Sequence, residues 1–337
     1  MALCEFCKSK EADKSNTHYL THSMIKFALN HKGSKDGYKG NIFTIGEGGS
    51  IKHTFQQETP PEVIEQAKGR PATDEEIQEA KNDRTFSVDN VFCSECEKRF
   101  GVIENKFTQE VLPKIKSSTE SEIAIEDNVT IRLFFLLQVW RSSVCDPDFT
   151  LPPLTKEAMR KVLWEGSNVK DWKIKKFPLS ITYLRTDKDE EKTSNIVSTD
   201  SKEYWPRVIF MGEFVIQFHQ LPPVYDSLFG INDRKSYSRY INHNESKFIV
   251  QILDDSKRKE INYKIYNQGV NITINDATDI FIATWKEKVQ QHLSDEIVNN
   301  FKLQYCQMER YSPEELTDLI NRIIEKNTIT VDKTIKQ

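Results

Sequence analysis

The sequence predicts an α+β protein in two parts, a zinc-bound N-terminal module and a mixed α+β domain after it. Two Cys-x2-Cys pairs, Cys4/Cys7 and Cys93/Cys96, supply four thiolates, and zinc prefers such a set in a tetrahedral site. Between residues 177 and 266 the pattern becomes strand-like, and segments with helical periodicity lie on both sides of it. One zinc ion would therefore join the N-terminus to a segment almost ninety residues downstream.

The length and composition are those of a folded chain with about two domains. The chain has 337 residues, of which 37% are hydrophobic and 10% aromatic, well outside the composition of disordered proteins. We expect no signal peptide and no membrane span, because the chain lacks both a basic-then-apolar start and a run of 18 apolar residues. Secreted disulfide scaffolds are usually short, and the two remaining cysteines, Cys145 and Cys306, lie in helix-like segments, so we expect a cytoplasmic location. The net charge of −4 excludes a global basic field, so any contact with nucleic acid requires a local basic patch.

We expect the zinc module to span residues 1–118, with an insertion at about 31–85 between its two halves. A short extended piece and an amphipathic helix are predicted over residues 16–30. The insertion contains, in order, a hairpin with strands Asn41–Ile45 and Ile51–Phe55, a helix opened by Pro60–Pro61 and ended by Gly69, and a capping box at Thr73–Glu76.

The second half of the module is predicted as a strand, the second cysteine pair and a helix. Residues 86–92 alternate between apolar and polar side chains, which is typical of a strand. The helix is expected to begin at about Glu97, with Phe100, Ile103 and Phe107 at helical spacing, and Pro113 is expected to end it.

The domain over residues 119–337 is predicted to begin and end with helices. Residues 117–127 are interpreted as a linker, and Ile131–Val144 as a buried helix, too short to cross a bilayer. Thr155 is expected to cap a further helix that Gly166 follows. The predicted antiparallel strands are Leu179–Leu184, Val208–Met211, Glu213–Phe218, Phe248–Leu253 and Ile261–Tyr266, and the predicted C-terminal helices are Asp276–His292 and Leu316–Lys326.

The motifs around the cysteines follow a recognisable order. Cys4-Glu5-Phe6-Cys7 precedes Thr17-His18-Tyr19-Leu20-Thr21, and Phe92-Cys93-Ser94-Glu95-Cys96-Glu97 runs on to Glu104 and then to Trp140-Arg141. This order resembles the HNH endonuclease superfamily in its zinc-braced, treble-clef or ββα-metal form, and more narrowly a group of bacterial HNH-like proteins. The resemblance covers residues 1 to about 145.

The resemblance implies a metal-dependent endonuclease that cuts DNA, or less readily RNA, with a role in bacterial defence. His18 would be the general base, since an unperturbed histidine is largely neutral at pH 7 and accepts a proton from water. A catalytic Mg²⁺ or Mn²⁺, distinct from the structural zinc, would be bound near Glu97, Asp89 and Asn90. His22 and Glu104 are further candidates.

The chain departs from the family pattern at three positions. Thr21 stands where the family has proline, and Glu97 stands where it has histidine or asparagine. Asn90, the candidate for the middle asparagine, lies only three residues before Cys93. A carboxylate at residue 97 is nevertheless a hard oxygen donor of the kind that Mg²⁺ prefers.

Each candidate residue also has a structural interpretation. His18 can cap the helix after it or fill a polar corner of the module, and a carboxylate at Glu97 is stabilised at a helix N-terminus without any metal. Glu104 and Arg141 can form a buried pair that joins the zinc module to the next helix. The alternative function is therefore a non-catalytic, zinc-stabilised protein that binds nucleic acid or protein through a degenerate HNH site. Partner proteins and oligomeric state are left open.

Overall fold

We analysed a computed structural model of the chain. It describes residues 2–29, 41–45, 51–55, 61–77, 86–188, 192, 195–199, 205–223, 238–307 and 313–334. The turn of the predicted hairpin and Pro60, at the predicted start of the next helix, lie outside these residues.

The N-terminal part contains short strands and one long helix. Its elements are β1 (Thr17–His18), α1 (His22–Leu29), β2 (Asn41–Ile45), β3 (Ile51–Phe55), α2 (Pro61–Lys68), β4 (Ser87–Val88), α3 (Ser94–Lys106) and α4 (Leu112–Ser117). β1 pairs with β4 in an antiparallel register that sets His18 opposite Ser87, and β2 pairs with β3. The predicted hairpin is confirmed. So is the capping box, because the amides of Thr73 and Glu76 donate to each other's side chains.

The helix after the second cysteine pair passes beyond Pro113, so the prediction that it ends there is wrong. A π-turn at Phe107–Val111 joins α3 to α4, and the amide of Leu112 donates to the carbonyl of Phe107, five residues back. Proline lacks the N–H that a regular helical hydrogen bond needs. The wider turn before Pro113 lets the chain stay helical without that bond.

The rest of the chain builds a sheet with helices around it and a helical C-terminal end. Its elements are β5 (Glu122–Ile125), α5 (Asn128–Cys145), α6 (Pro153–Glu165), α7 (Asp171–Ile174), β6 (Leu179–Leu184), β7 (Val197–Thr199), β8 (Arg207–Met211), β9 (Phe214–Phe218), β10 (Phe248–Leu253), α8 (Asp255–Lys288), α9 (Asp295–Cys306) and α10 (Pro313–Thr334). The buried helix predicted at Ile131–Val144 is confirmed as α5.

Six strands form one sheet in the order β5-β10-β6-β9-β8-β7. The prediction of an all-antiparallel set is wrong at one pair, because β10 runs parallel to β6. A long connection after β9 lets the chain re-enter the sheet in the same direction as β6. The sheet also includes β5, which lies inside the segment predicted as a linker.

Ile261–Tyr266 is not a strand but part of α8. Its alternating apolar residues also fit a helix, since Ile261 and Ile265 are four residues apart and share a face. Ile261 is buried against Leu184 and Val208, with Ile265 beside it, whereas Tyr263 is 67% exposed. Asp254 caps the helix by accepting from the amide of Lys257 at 2.8 Å.

Thr155 does not cap α6, contrary to expectation, because the helix already begins at Pro153. Proline suits the first helical turn, where the N–H it lacks would have no intrahelical partner. Gly166 follows the helix with φ +59°, as the sequence indicated.

The main core runs from the cysteines through α5 to the sheet without interruption. Trp140 of α5 packs on Phe6 and Phe100 of the N-terminal part, with ring centroids 5.2 and 6.2 Å away. At the other end of α5, Phe135 lies 5.5 Å from Phe214 of β9. α5 therefore fixes the position of the zinc module relative to the sheet. Helices α8, α9 and α10 have a separate core around Phe281 and Phe301.

Candidate metal centre and adjacent polar site

The four predicted cysteines meet at one point. Their Sγ atoms all lie within 4.8 Å of one another, and the sulfurs of Cys7 and Cys93 are 4.0 Å apart. A tetrahedral site with Zn–S distances near 2.3 Å places its sulfurs about 3.8 Å apart, so the set has the size that zinc needs. All four are free thiols, and they could hold a zinc ion.

Backbone hydrogen bonds hold the two cysteine pairs together. In the first turn the amide of Cys4 donates to Lys10 O at 2.7 Å, and Lys8 takes a left-handed conformation with φ +57°. Between the halves, the amide of Glu5 donates to Val91 O and that of Lys14 to Phe92 O, both at 3.0 Å. These bonds fix the position of the first cysteine pair relative to the second.

Asp13 anchors the N-terminus of α3 and was not singled out from the sequence. Its Oδ1 accepts from the amide of Ser94 at 2.7 Å, so a residue of the first half satisfies a free helix N–H of the second half. The contact spans 81 positions. No local capping pattern could have indicated it.

Burial and nearby amides act in opposite directions on the thiols. Burial raises the pKa of Cys4, although the amides of Cys7, Cys93 and Phe6 donate to its sulfur. Burial also acts to raise the pKa of Cys7, but hydrogen bonds from Ser9 and Lys10 outweigh it and lower that pKa to about 6. Burial raises the pKa of Cys96, and the sulfurs of Cys93 and Cys4 add to the effect. The thiolate form, which is the form that binds a metal, is thus favoured at Cys7 and disfavoured at Cys4 and Cys96.

His18 lies at the end of β1, which pairs with the strand that precedes the second cysteine pair. Its ring stacks on that of His22, the first residue of α1, with centroids 4.7 Å apart and planes 16° apart. Burial lowers the pKa of His22, and Lys26, one turn further along α1, lowers it further. The pair thus presents two imidazoles on one edge of the module.

Arg141 of α5 connects His18 to both glutamates. Its guanidinium donates to the carbonyl oxygen of His18 and, through Nη1, to Glu104 Oε1 at 3.1 Å. Its Nη2 also lies 3.7 Å from Glu97 Oε1. The Arg141 side chain is only 3% exposed, whereas the side chains of Glu97 and Glu104 are 20% and 22% exposed, so water reaches the carboxylates but hardly the guanidinium.

Glu97 has one buried oxygen, Oε1, with no hydrogen-bond partner among the described residues. Burial raises the pKa of this carboxyl, with Glu104 adding to the rise and Arg141 and Lys14 opposing it. Such a buried carboxylate oxygen is able to accept a cation or a proton.

Thr21 takes a polar role at the position where the resembling family has proline. Its hydroxyl donates to Glu104 Oε1 at 2.9 Å, and its amide donates to Gln138 Oε1 at 2.9 Å. Gln138 is fully buried in α5 and was missed in the sequence interpretation. The signal was a lone amide side chain inside an otherwise apolar run.

Asp89 and Asn90 lie on the turn between β4 and the second cysteine pair. Both are exposed, Asn90 with φ +57°. Asp89 Oδ1 accepts from the amide of Asn16 at 2.5 Å, next to the start of β1. Asp89 thus lies directly after the strand that pairs with β1, whereas Glu97 contacts Arg141.

Among the described residues, one cluster of three or more His, Cys, Asp or Glu side chains is close enough to hold a metal ion, and it consists of the four cysteines. A magnesium ion usually keeps several waters and needs only one or two protein carboxylates together with substrate phosphates. Glu97 and Asp89 therefore remain predicted ligands of a catalytic ion.

No protein-family model matches the chain, and no curated protein or solved structure matches it either. The resemblance to HNH endonucleases thus rests on the motifs alone. None of the helices in the described part of the chain combines the length and apolar character that crossing a bilayer requires.

Proposed function

We propose that the protein is a metal-dependent endonuclease that hydrolyses phosphodiester bonds, in DNA rather than RNA, with His18 as the general base. The observation that carries the proposal is the shared guanidinium of Arg141, which contacts the His18 carbonyl and lies 3.7 Å from Glu97. It brings the base and the proposed ion ligand into one network beside the cysteine centre.

In this proposal His18 takes a proton from the attacking water. A neutral imidazole suits the task at pH 7, and His18 is half-buried at the end of a strand. The buried Oε1 of Glu97 would help to hold Mg²⁺ or Mn²⁺, with Asp89 and Asn90 as the other candidates. The bound ion would stabilise the charge that develops on the phosphate.

Two lysines add positive charge beside the proposed site. Lys14 acts electrostatically on Glu97, and Lys26 on His22. Cations of this kind attract a phosphate backbone even though the chain as a whole is acidic.

The test is cleavage of supercoiled plasmid DNA with Mg²⁺ or Mn²⁺ by the wild type and by His18→Ala. We expect the substitution to reduce the cleavage rate at least a hundredfold, since a general base contributes about 10²–10⁴-fold. His292→Ala, at an exposed histidine after α8, is the matched control and should cleave like the wild type. Zinc content and melting temperature should stay unchanged in both variants. A wild type that cuts neither plasmid DNA nor RNA with either ion refutes the proposal.

One observation favours the alternative, a zinc-stabilised binding protein with a degenerate site. Arg141 is almost fully buried and already pairs with Glu97 and Glu104, as a structural tie between the module and α5 would require. Glu97→Gln separates the two functions. It should abolish cleavage if Glu97 holds the ion, and it should leave nucleic-acid binding as in the wild type if the pair is only structural.

A further inference from the structure

Two of the five tryptophans lie on the surface, close to each other in the chain. Trp164 at the end of α6 is 41% exposed, and Trp172 in α7 is 57% exposed. Tryptophan is highly buried on average, so two exposed rings eight residues apart indicate a surface with a use of its own. We call Arg99, Trp164, Lys170, Trp172 and Lys176 the tryptophan surface.

Hydrogen bonds connect the three helices that carry the residues of the tryptophan surface. Arg99 of α3 donates from Nη2 to the carbonyl oxygen of Trp164 at 2.7 Å. On the other side, Glu165 accepts from Lys173 Nζ at 2.5 Å, which joins the end of α6 to the residue after Trp172. These bonds link α3 to the end of α6, and the end of α6 to α7, the helix that carries Trp172.

Cations lie over both rings. The Arg99 guanidinium carbon is 3.9 Å from the Trp164 ring centroid, and Lys176 Nζ is 4.7 Å from that of Trp172. A planar guanidinium stacked on an indole leaves its outer face free to stack again. Alternating aromatic and cationic groups are the pattern on which nucleobases stack.

The segment that carries the two rings has a positive net charge, whereas the whole chain has a negative one. Residues 156–176 contain seven Lys or Arg and three Asp or Glu, a net charge of +4, whereas the whole chain carries −4. Lys170 and Lys176 are both exposed. This is a local basic patch of the kind that an acidic protein needs to bind nucleic acid.

We propose that the tryptophan surface binds single-stranded nucleic acid, with bases stacked on Trp172 and on the outer face of the Arg99 guanidinium. Lys170 and Lys176 then contact the phosphates. The inference goes beyond the proposed endonuclease and does not depend on it. Arg99 is two residues from Glu97, roughly 200° around the helix, so the tryptophan surface lies on a different side of α3.

The first test is the affinity for a fluorescently labelled single-stranded oligonucleotide, measured by anisotropy without added divalent ion and with the oligonucleotide checked for intactness. We expect Trp172→Ala to weaken binding by about fivefold to a hundredfold, the range seen for loss of one stacked base. Trp172→Phe keeps an aromatic face and should retain most of the affinity. Tyr263→Ala removes a comparably exposed ring from α8 and serves as the control.

The second test is the salt dependence of the same binding. Each phosphate contact contributes about 0.7 to the slope of log K against log salt for single strands, so Lys170→Gln with Lys176→Gln should lower the slope by roughly 1.4. Lys286→Gln with Lys288→Gln, on α8, should leave the slope unchanged. A wild type that does not bind the oligonucleotide overturns the inference, as does Trp172→Ala or the Lys170/Lys176 pair binding like the wild type. These tests measure binding and not cleavage, so they can fail without affecting the endonuclease proposal, and the endonuclease proposal can fail without affecting them.

Discussion

At the residue scale, the four cysteines and Arg141 show two kinds of signal. The two Cys-x2-Cys pairs are visible in the sequence itself. The prediction that they come together is confirmed, since their sulfurs lie within 4.8 Å of one another. The pair between Arg141 and Glu104 was predicted as one alternative and is present at 3.1 Å. The bond from Arg141 to the His18 carbonyl spans 123 positions. Every residue has a backbone carbonyl, so no residue type in the sequence could have indicated this acceptor.

Cys93→Ser tests the metal centre. Removing one of four thiolates should lower the zinc content from about one per chain to near zero, since structural zinc is held by complete four-ligand sets. The free energy of unfolding should fall by at least about 3 kcal/mol, because the metal's binding energy stabilises only the folded chain. Elemental analysis of the purified protein and urea unfolding give the two measurements.

Cys306→Ser is the matched control for this change. Cys306 is exposed, lies in α9 and is outside the four-cysteine group, so zinc content and stability should match the wild type. A Cys93→Ser protein that still carries one zinc per chain would contradict the proposed site.

At the element scale, the predictions succeeded where one local pattern pointed to one structure. The apolar run of α5 and the capping box at Thr73–Glu76 are of this type. Ile261–Tyr266 satisfied both a strand and a helix pattern, and the sheet residues that pack on Ile261 decide between them. β5 could not be predicted from its own four residues, because the strand that it pairs with in the described part of the chain is β10, more than a hundred residues later.

Two glycines should respond to the same substitution in opposite ways. Gly212, in the turn between β8 and β9, has φ +63°, and an added Cβ would lie 2.6 Å from the backbone oxygen of Met24. Gly212→Ala should therefore lower the free energy of unfolding by about 2 kcal/mol or more. Gly101 is inside α3 with nothing within 4 Å of an added Cβ, so Gly101→Ala should raise it by about 0.5–1 kcal/mol.

Urea unfolding of both alanine variants beside the wild type measures this difference. The steric account of the β8–β9 turn fails if Gly212→Ala unfolds at the same urea concentration as the wild type.

At the scale of the whole molecule, the α+β class was predicted correctly. How the N-terminal module, the sheet and the C-terminal helices pack against one another was not predicted from the sequence. A continuous apolar core joins the cysteine centre to the sheet, whereas the last three helices pack around a core of their own. Local periodicity identifies buried faces but does not tell which faces meet. The boundary at residue 118 therefore stays a prediction.

Phe281→Ala tests the independence of the C-terminal helices. Phe281 is fully buried and stacks on Phe301 with centroids 4.4 Å apart, so its truncation should cost about 3–5 kcal/mol. Hydrogen exchange should become faster in α8, α9 and α10 and stay unchanged in α5, with zinc content also unchanged. Phe134→Ala in the main core should instead speed exchange in α5 and α3. Equal acceleration throughout the chain in Phe281→Ala would show a single cooperative unit.

The distance along the chain between the two cysteine pairs also determines the delay between their synthesis on the ribosome. Cys7 and Cys93 are separated by 86 positions. At roughly 5–20 residues per second, the first pair leaves the ribosome about 4–17 s before the second pair does. Throughout that interval the nascent chain carries two exposed thiols and an incomplete metal site, so oxidation or capture by another metal competes with correct assembly. Translation speed through the insertion thus becomes a determinant of how much protein acquires its zinc.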